Sequence, residues 1–145
     1  MKLSEHFTLD EMTFSETAVR KGLDNTPPND TIMANLKQTA LQMEKVRALL
    51  NNPIKVNSAF RSPAVNVAIG GSLKSHHCLG YAVDFICPKF GTPREICSAI
   101  MKSDIQYDQL IYEGTWVHIS FAPSMRRENL HANFKNGKAI YSALT

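Results

Sequence analysis

The stretch Ser75-His76-His77-Cys78-Leu79-Gly80-Tyr81-Ala82-Val83-Asp84 constrains this chain more than any other. It sets two adjacent histidines ahead of a glycine, with an aspartate closing the run. Far downstream, Trp116-Val117-His118-Ile119-Ser120 carries another histidine in a strand-like setting. Two imidazoles and one carboxylate from separate segments make the ligand set of a catalytic zinc site. Such sites use three protein ligands and leave a fourth position for water. The residues therefore predict one Zn²⁺ per chain on His77, Asp84 and His118. A carboxylate inside an apolar run needs a partner once buried, and a divalent cation is a sufficient one for Asp84.

Composition narrows the class. A chain of 145 residues is most simply one domain, 1–145, large enough to build a core without disulfides. The net charge of +3 is small and dispersed, and no Lys/Arg run alternates with aromatics, so nucleic acid is not an expected partner. The first residues lack an apolar signal-peptide core, and no segment is long enough to span a bilayer. The expectation is a monomer, cytoplasmic as synthesised, without stable membrane insertion. Cys78, Cys87 and Cys97 are odd in number and lack a CxxC spacing. They read as reduced thiols, small buried fillers rather than a disulfide framework.

Along the chain, residues 1–29 read as an N-terminal arm packing on the body. Thr8 and Glu11 form a capping-box pattern, and 15–22 reads as a short helix stopped by Gly22. Asp30 is the expected cap of a long helix to about Leu50, ended by Asn51-Asn52-Pro53. A strand is predicted over 54–60, then a short helix with Ser62 as cap and Pro63 at its first position. A buried strand over 82–87 follows the histidine motif. Thr92-Pro93 opens a helix to about Lys102. The tail after Pro123 is basic and polar, with an edge strand at 138–142. Strands and helices mix without regular alternation, so the expected class is α+β: a small antiparallel sheet carrying the zinc site, flanked by helices.

Residues 108–113 and 116–121 flank Gly114-Thr115 and read as a hairpin on a two-residue turn. Alternation then puts Gln109, Ile111, Glu113, Trp116, His118 and Ser120 on one face. Leu110, Tyr112, Val117, Ile119 and Phe121 take the other, which belongs on the core. Glu113 falls diagonal to His118, about 7–8 Å away at the backbone.

That placement matters for peptide hydrolysis. Zinc lowers the pKa of a bound water and polarises a carbonyl. A carboxylate must take the water's proton and return it to the leaving amine, and donors must hold the oxyanion. Glu113 fits the first role. Arg61, at the end of the 54–60 strand, fits the second.

The pattern Ser75-x-His77-x-x-Gly80-x-Ala82-x-Asp84 is preceded by Ser58-Ala59-Phe60-Arg61-Ser62-Pro63-x-x-Asn66 and followed by Trp116-Val117-His118-Ile119-Ser120. Together these resemble the zinc D-alanyl-D-alanine carboxypeptidase family. The likeness is greatest to its small phage and prophage members, which act on peptidoglycan stem peptides. The resemblance implies zinc on His77, Asp84 and His118, Arg61 near the substrate or oxyanion, and Ser75 as a support or substrate contact. It implies a D-Ala-D-Ala carboxypeptidase or related endopeptidase, with a phage lysis protein as its setting. One departure stands out. Many relatives carry the catalytic acid three residues before the last histidine, where this chain has Thr115; Glu113 is the nearest replacement.

Other readings attach to the same residues. A non-catalytic, zinc-containing wall-binding or phage structural module would keep the metal and lack a working base. A cysteine peptidase would use Cys78, although adjacent residues such as His77 and Cys78 rarely aim at each other. His76 falls off the pattern and reads as a groove residue. Trp116 is a candidate substrate platform. His6, His131 and the Arg126-Arg127 pair read as solvated.

Overall fold

A computed structural model describes residues 1–72 and 75–145. Six strands form one sheet in the order β1-β2-β4-β3-β5-β6. They are β1 Lys55–Ser58, β2 Ala82–Ile86, β3 Gln109–Tyr112, β4 Val117–Ser120, β5 Glu128–Lys135 and β6 Lys138–Ala143. Every neighbouring pair is antiparallel except β3 and β5, which run parallel. The helices are α1 Leu9–Thr13, α2 Glu16–Lys21, α3 Asp30–Leu50, α4 Pro63–Ala68 and α5 Pro93–Met101. The fold is α+β, as the sequence predicts. No helix among the described residues is long and apolar enough to cross a membrane.

Alternation along the strands divides the sheet's two faces. Val83, Phe85, Leu110, Val117 and Ile119 are fully buried and pack with Leu36, Met43 and Val46 of α3 and with Ile96 and Ile100 of α5. Asp84 and His118, on the same strands, point to the opposite side and line a pocket. The hairpin register is the expected one: Gln109 pairs with Ser120, Ile111 with His118, and the Glu113 N–H bonds the Trp116 carbonyl.

Local signals act as read at several helix ends. Thr8 and Glu11 make both halves of a capping box, and so do Thr92 and Glu95. Gly22 ends α2 in the left-handed region. The cap of α3 is Asn29, not Asp30: Asn29 has extended backbone and its Oδ1 accepts from the Ile32 N–H at 2.9 Å. Asp30 is instead the first helical residue, where its charge suits the helix N-terminus.

β1 is shorter than the predicted 54–60 because its last residues find other partners. The Phe60 N–H bonds the Met12 carbonyl, and the Asn25 side chain donates to the Phe60 carbonyl at 3.1 Å. The tail also differs from expectation, because residues 128–135 form β5. Its parallel ladder with β3 satisfies an edge that would otherwise lie open.

The turn that carries the histidine motif is a short 3₁₀ helix, His76–Leu79, closed by Gly80 at φ 81°. Helix α3 anchors it. Thr39 Oγ1 donates to the Gly80 carbonyl at 2.6 Å, and Asn35 Nδ2 donates to the Leu79 carbonyl at 3.0 Å. A Cβ on Gly80 would stand 3.1 Å from the Ile32 carbonyl oxygen and 3.3 Å from the Leu36 nitrogen. Gly80→Ala therefore meets left-handed strain and a backbone clash together. Its expected cost is about 1–3 kcal/mol, read as a lower urea midpoint at unchanged slope.

Candidate metal centre

Asp84 and His118 are direct partners in the β2–β4 ladder, which brings their Cβ atoms to about 4.5–5.5 Å. His77 joins them from the 3₁₀ turn. Asp84 Oδ1 lies 2.9 Å from His118 Nδ1 and 3.2 Å from His77 Nε2. One donor atom from each of the three residues falls within 4.8 Å of the others. The segment after β1 holds the turn in place: the Arg61 N–H donates to the His77 carbonyl at 3.2 Å, and His77 Nδ1 donates to the Ala59 carbonyl at 2.6 Å. The Ser75 hydroxyl accepts from the His77 N–H at 3.2 Å.

The contact with Ala59 fixes the chemistry of His77. A carbonyl oxygen only accepts, so Nδ1 carries the hydrogen, and in a neutral imidazole Nε2 is then a bare lone pair. That lone pair faces the Asp84 carboxylate, itself an acceptor, at 3.2 Å. Two acceptors so close and so buried repel unless a cation sits between them. A second proton on His77 is disfavoured: burial pushes its pKa down, against the pull of Asp84. Burial alone would raise Asp84; a proton on the histidine nitrogens that face it outweighs burial and draws the carboxyl below the usual range. A neutral imidazole and an ionised carboxylate are the protonation states a metal requires. The donor set therefore fits a divalent ion of the zinc type.

The triad opens into a pocket of about 440 Å³. Arg61, Ser75, His76, Glu113, Trp116, Arg126 and Tyr141 line it with the triad. Arg61 reaches Asp84 Oδ2 at 3.6 Å, and its own Nε is buried without an acceptor among the described residues. Burial pushes the Glu113 carboxyl up; His118 pulls it down, Asp84 raises it further and Arg61 lowers it. Thr115 is exposed in the hairpin turn and does not line the pocket. Cys78 does not line it either, and burial raises its thiol, against the pull of Arg61.

Several polar links escape a reading of the sequence. His76 Nδ1 lies 2.6 Å from Ser120 Oγ, beside the pocket. Fully buried Asp108 accepts from Arg126 Nε and Nη2 at 3.0 and 2.9 Å and from the Ser124 hydroxyl at 2.8 Å. Arg127 donates to the Ser103 carbonyl at 2.7 Å and lies over the Tyr107 ring. Both arginines are thus structural ties, Arg126 while still exposed as expected and Arg127 half-buried. His6 is likewise tied, at 2.7 Å from Glu44, and His131 stacks on Tyr112. The partners lie far apart in sequence, where spacing carries no signal.

Neutral, buried His77 makes the metal-free protein pH-sensitive. Its pKa, and that of His76, is lowered by burial on folding, while an unfolded histidine titrates near ~6.5. The unfolded chain therefore binds more protons below that pH. The contribution to stability is full above ~6.5 and is lost as pH falls towards the folded pKa values. Asp84, whose pKa is depressed, contributes its own loss only below about 4. Urea midpoints of metal-free protein should fall between pH 7.5 and pH 5, and His77→Gln should flatten that slope.

Comparison with curated proteins returns no match. The family model for peptidase M15 matches residues 5–120, from the opening of the arm through the whole of β4. That span is well over half of the chain and holds all three residues of the triad. The chain belongs to the peptidase M15 family of zinc-dependent metallopeptidases.

Proposed function

We propose that this protein is a zinc peptidase that hydrolyses amide bonds in peptidoglycan stem peptides, as a D-Ala-D-Ala carboxypeptidase or a related endopeptidase. One observation carries the reading: the triad, the Glu113 carboxyl and the Arg61 guanidinium line a single pocket. His77, Asp84 and His118 would hold the zinc, which would supply Lewis acidity and lower the pKa of water.

The chain's own residues supply the rest. Glu113 takes a proton from the attacking water and returns it to the leaving amine. Its upward-shifted carboxyl suits both halves of that exchange better than an ordinary glutamate would. Arg61 keeps its charge at any working pH and donates to the oxygen on which negative charge develops. Trp116 offers a flat apolar surface at the rim, and Ser75 steadies His77 through its backbone. Fully buried Ala59 holds His77 Nδ1 through its carbonyl. A phage lysis protein, reaching the wall once the membrane is permeabilised, is the setting this reading favours.

Thr115 is the feature that favours a non-catalytic wall-binding module. Glu113 in the pocket weighs against it, because the position diagonal to His118 serves the same geometry.

Zinc-loaded protein incubated with purified stem peptides should release shortened products by mass spectrometry, and their masses identify the bond cut. Glu113→Gln should lower kcat by about 10²–10⁴-fold at unchanged zinc content. Unchanged peptides with wild type and variant alike would establish the binding module. In wild type, kcat/KM should fall on the acid side as Glu113 is protonated. Asp84→Asn should lose zinc itself, measured by metal analysis after dialysis.

A further inference from the structure

The hairpin of β5 and β6 lies beyond the residues that match the family, yet it extends the metal-bearing face of the sheet. Ile111 pairs with Leu130 and Gln109 with Glu128, and Gln109 Nε2 donates to Glu128 Oε1 at 2.9 Å. Alternation then carries the same face through Ala132 and Phe134. Phe134 lies against Trp116 at 6.2 Å between ring centroids. Across the hairpin, Ala132 pairs with Tyr141, so Tyr141 stands on that face too. It lines the same pocket as the triad.

Tyr141 has the properties of a group kept for a ligand. It is 53 % exposed on an edge strand, so the core does not need it. Its hydroxyl bonds no acceptor among the described residues, whereas that of Tyr107 is bonded to Asn129. Burial, with the charges of Glu113 and Asp84, raises its pKa and keeps the O–H a donor. The Glu113 carboxylate also disfavours an incoming carboxylate at this end of the pocket and leaves a neutral carbonyl as the better acceptor. Arg61 follows β1 at one edge of the sheet and Tyr141 sits on β6 at the other, so both ends of the groove carry a donor.

We propose that Tyr141 is a substrate-binding residue, whose hydroxyl donates to an amide carbonyl of the bound peptide on the side of the groove away from Arg61. The C-terminal hairpin is thereby a wall of the groove and a determinant of which peptides fit. This inference rests on the peptidase reading above.

The test uses zinc-loaded full-length protein carrying Glu113→Gln, which holds peptide without cutting it. Trp116 is the only tryptophan and reports peptide binding by its fluorescence. Adding Tyr141→Phe should raise the Kd for stem peptide by about 2- to 12-fold, the worth of one neutral hydrogen bond. In the otherwise wild-type enzyme the same change should raise KM by that factor and leave kcat within about twofold. Ile140→Ala, equally exposed on the opposite face of the strand, should change neither. A Tyr141→Phe enzyme that matches wild type overturns the proposal even if Tyr141→Ala is impaired. So does an Ile140→Ala enzyme with the same defect. If wild type neither binds nor cuts stem peptides, the peptidase reading falls and takes the inference with it.

Discussion

The structure turns on a buried confrontation between two acceptors. His77 gives its only hydrogen to the Ala59 carbonyl, so its second nitrogen meets the Asp84 carboxylate with a lone pair. His77 itself is almost wholly buried, so the lone pair has little access to solvent outside the pocket it lines. Burial works against the proton that would relieve it, whereas a divalent ion would be ligated by all three donors at once. The site is thus selective for a cation by what it withholds as much as by what it offers. The carbonyl that fixes the tautomer belongs to a residue that has left its strand to do so. Ala59 would otherwise continue β1 along the β2 ladder.

Such a site needs support from elsewhere, and the sheet supplies it by dividing its faces. The residues flanking Asp84 and His118 along β2 and β4 are Val83, Phe85, Val117 and Ile119, all fully buried against α3 and α5. The apolar face fixes the register, because a slip of one residue would turn every side chain over. With the register fixed, Asp84 and His118 must face each other. The packing that stabilises the protein therefore also aims its chemistry. Polar ties do the same for the loops: Asn25 clips the arm to the end of β1, and Asp108 gathers Ser124 and Arg126 at the start of β5.

Much of this can be read from the chain because it is written in short-range terms. The spacing from His77 to Asp84 spans a turn and the entry to a strand, and alternation alone sets the faces of the Gly114-Thr115 hairpin. The caps at Thr8, Ser62 and Thr92 are local hydrogen bonds. What escaped depends on distant partners. β5 hides its alternation of Leu130, Ala132 and Phe134 among polar residues and becomes a strand because β3 has an open edge. The Asn136-Gly137 pair, both with positive φ, is the one local sign of that hairpin. His6 with Glu44, His76 with Ser120 and Arg126 with Asp108 join residues whose separation no periodicity predicts. Tyr141 comes to the pocket only through the strand order, so no motif around it could announce a place there.

The three donors do not stand on equal ground. Asp84 and His118 face each other in one rung of the β2–β4 ladder and move only if the sheet moves. His77 rides on a single helical turn, pinned by three hydroxyl and amide contacts to its flanks and to α3. Support is therefore divided across the centre: two donors are set by the sheet and the third by hydrogen bonds around a turn that Gly80 closes. The placing of the third donor thus depends on residues of α3, Asn35 and Thr39, that do not line the pocket.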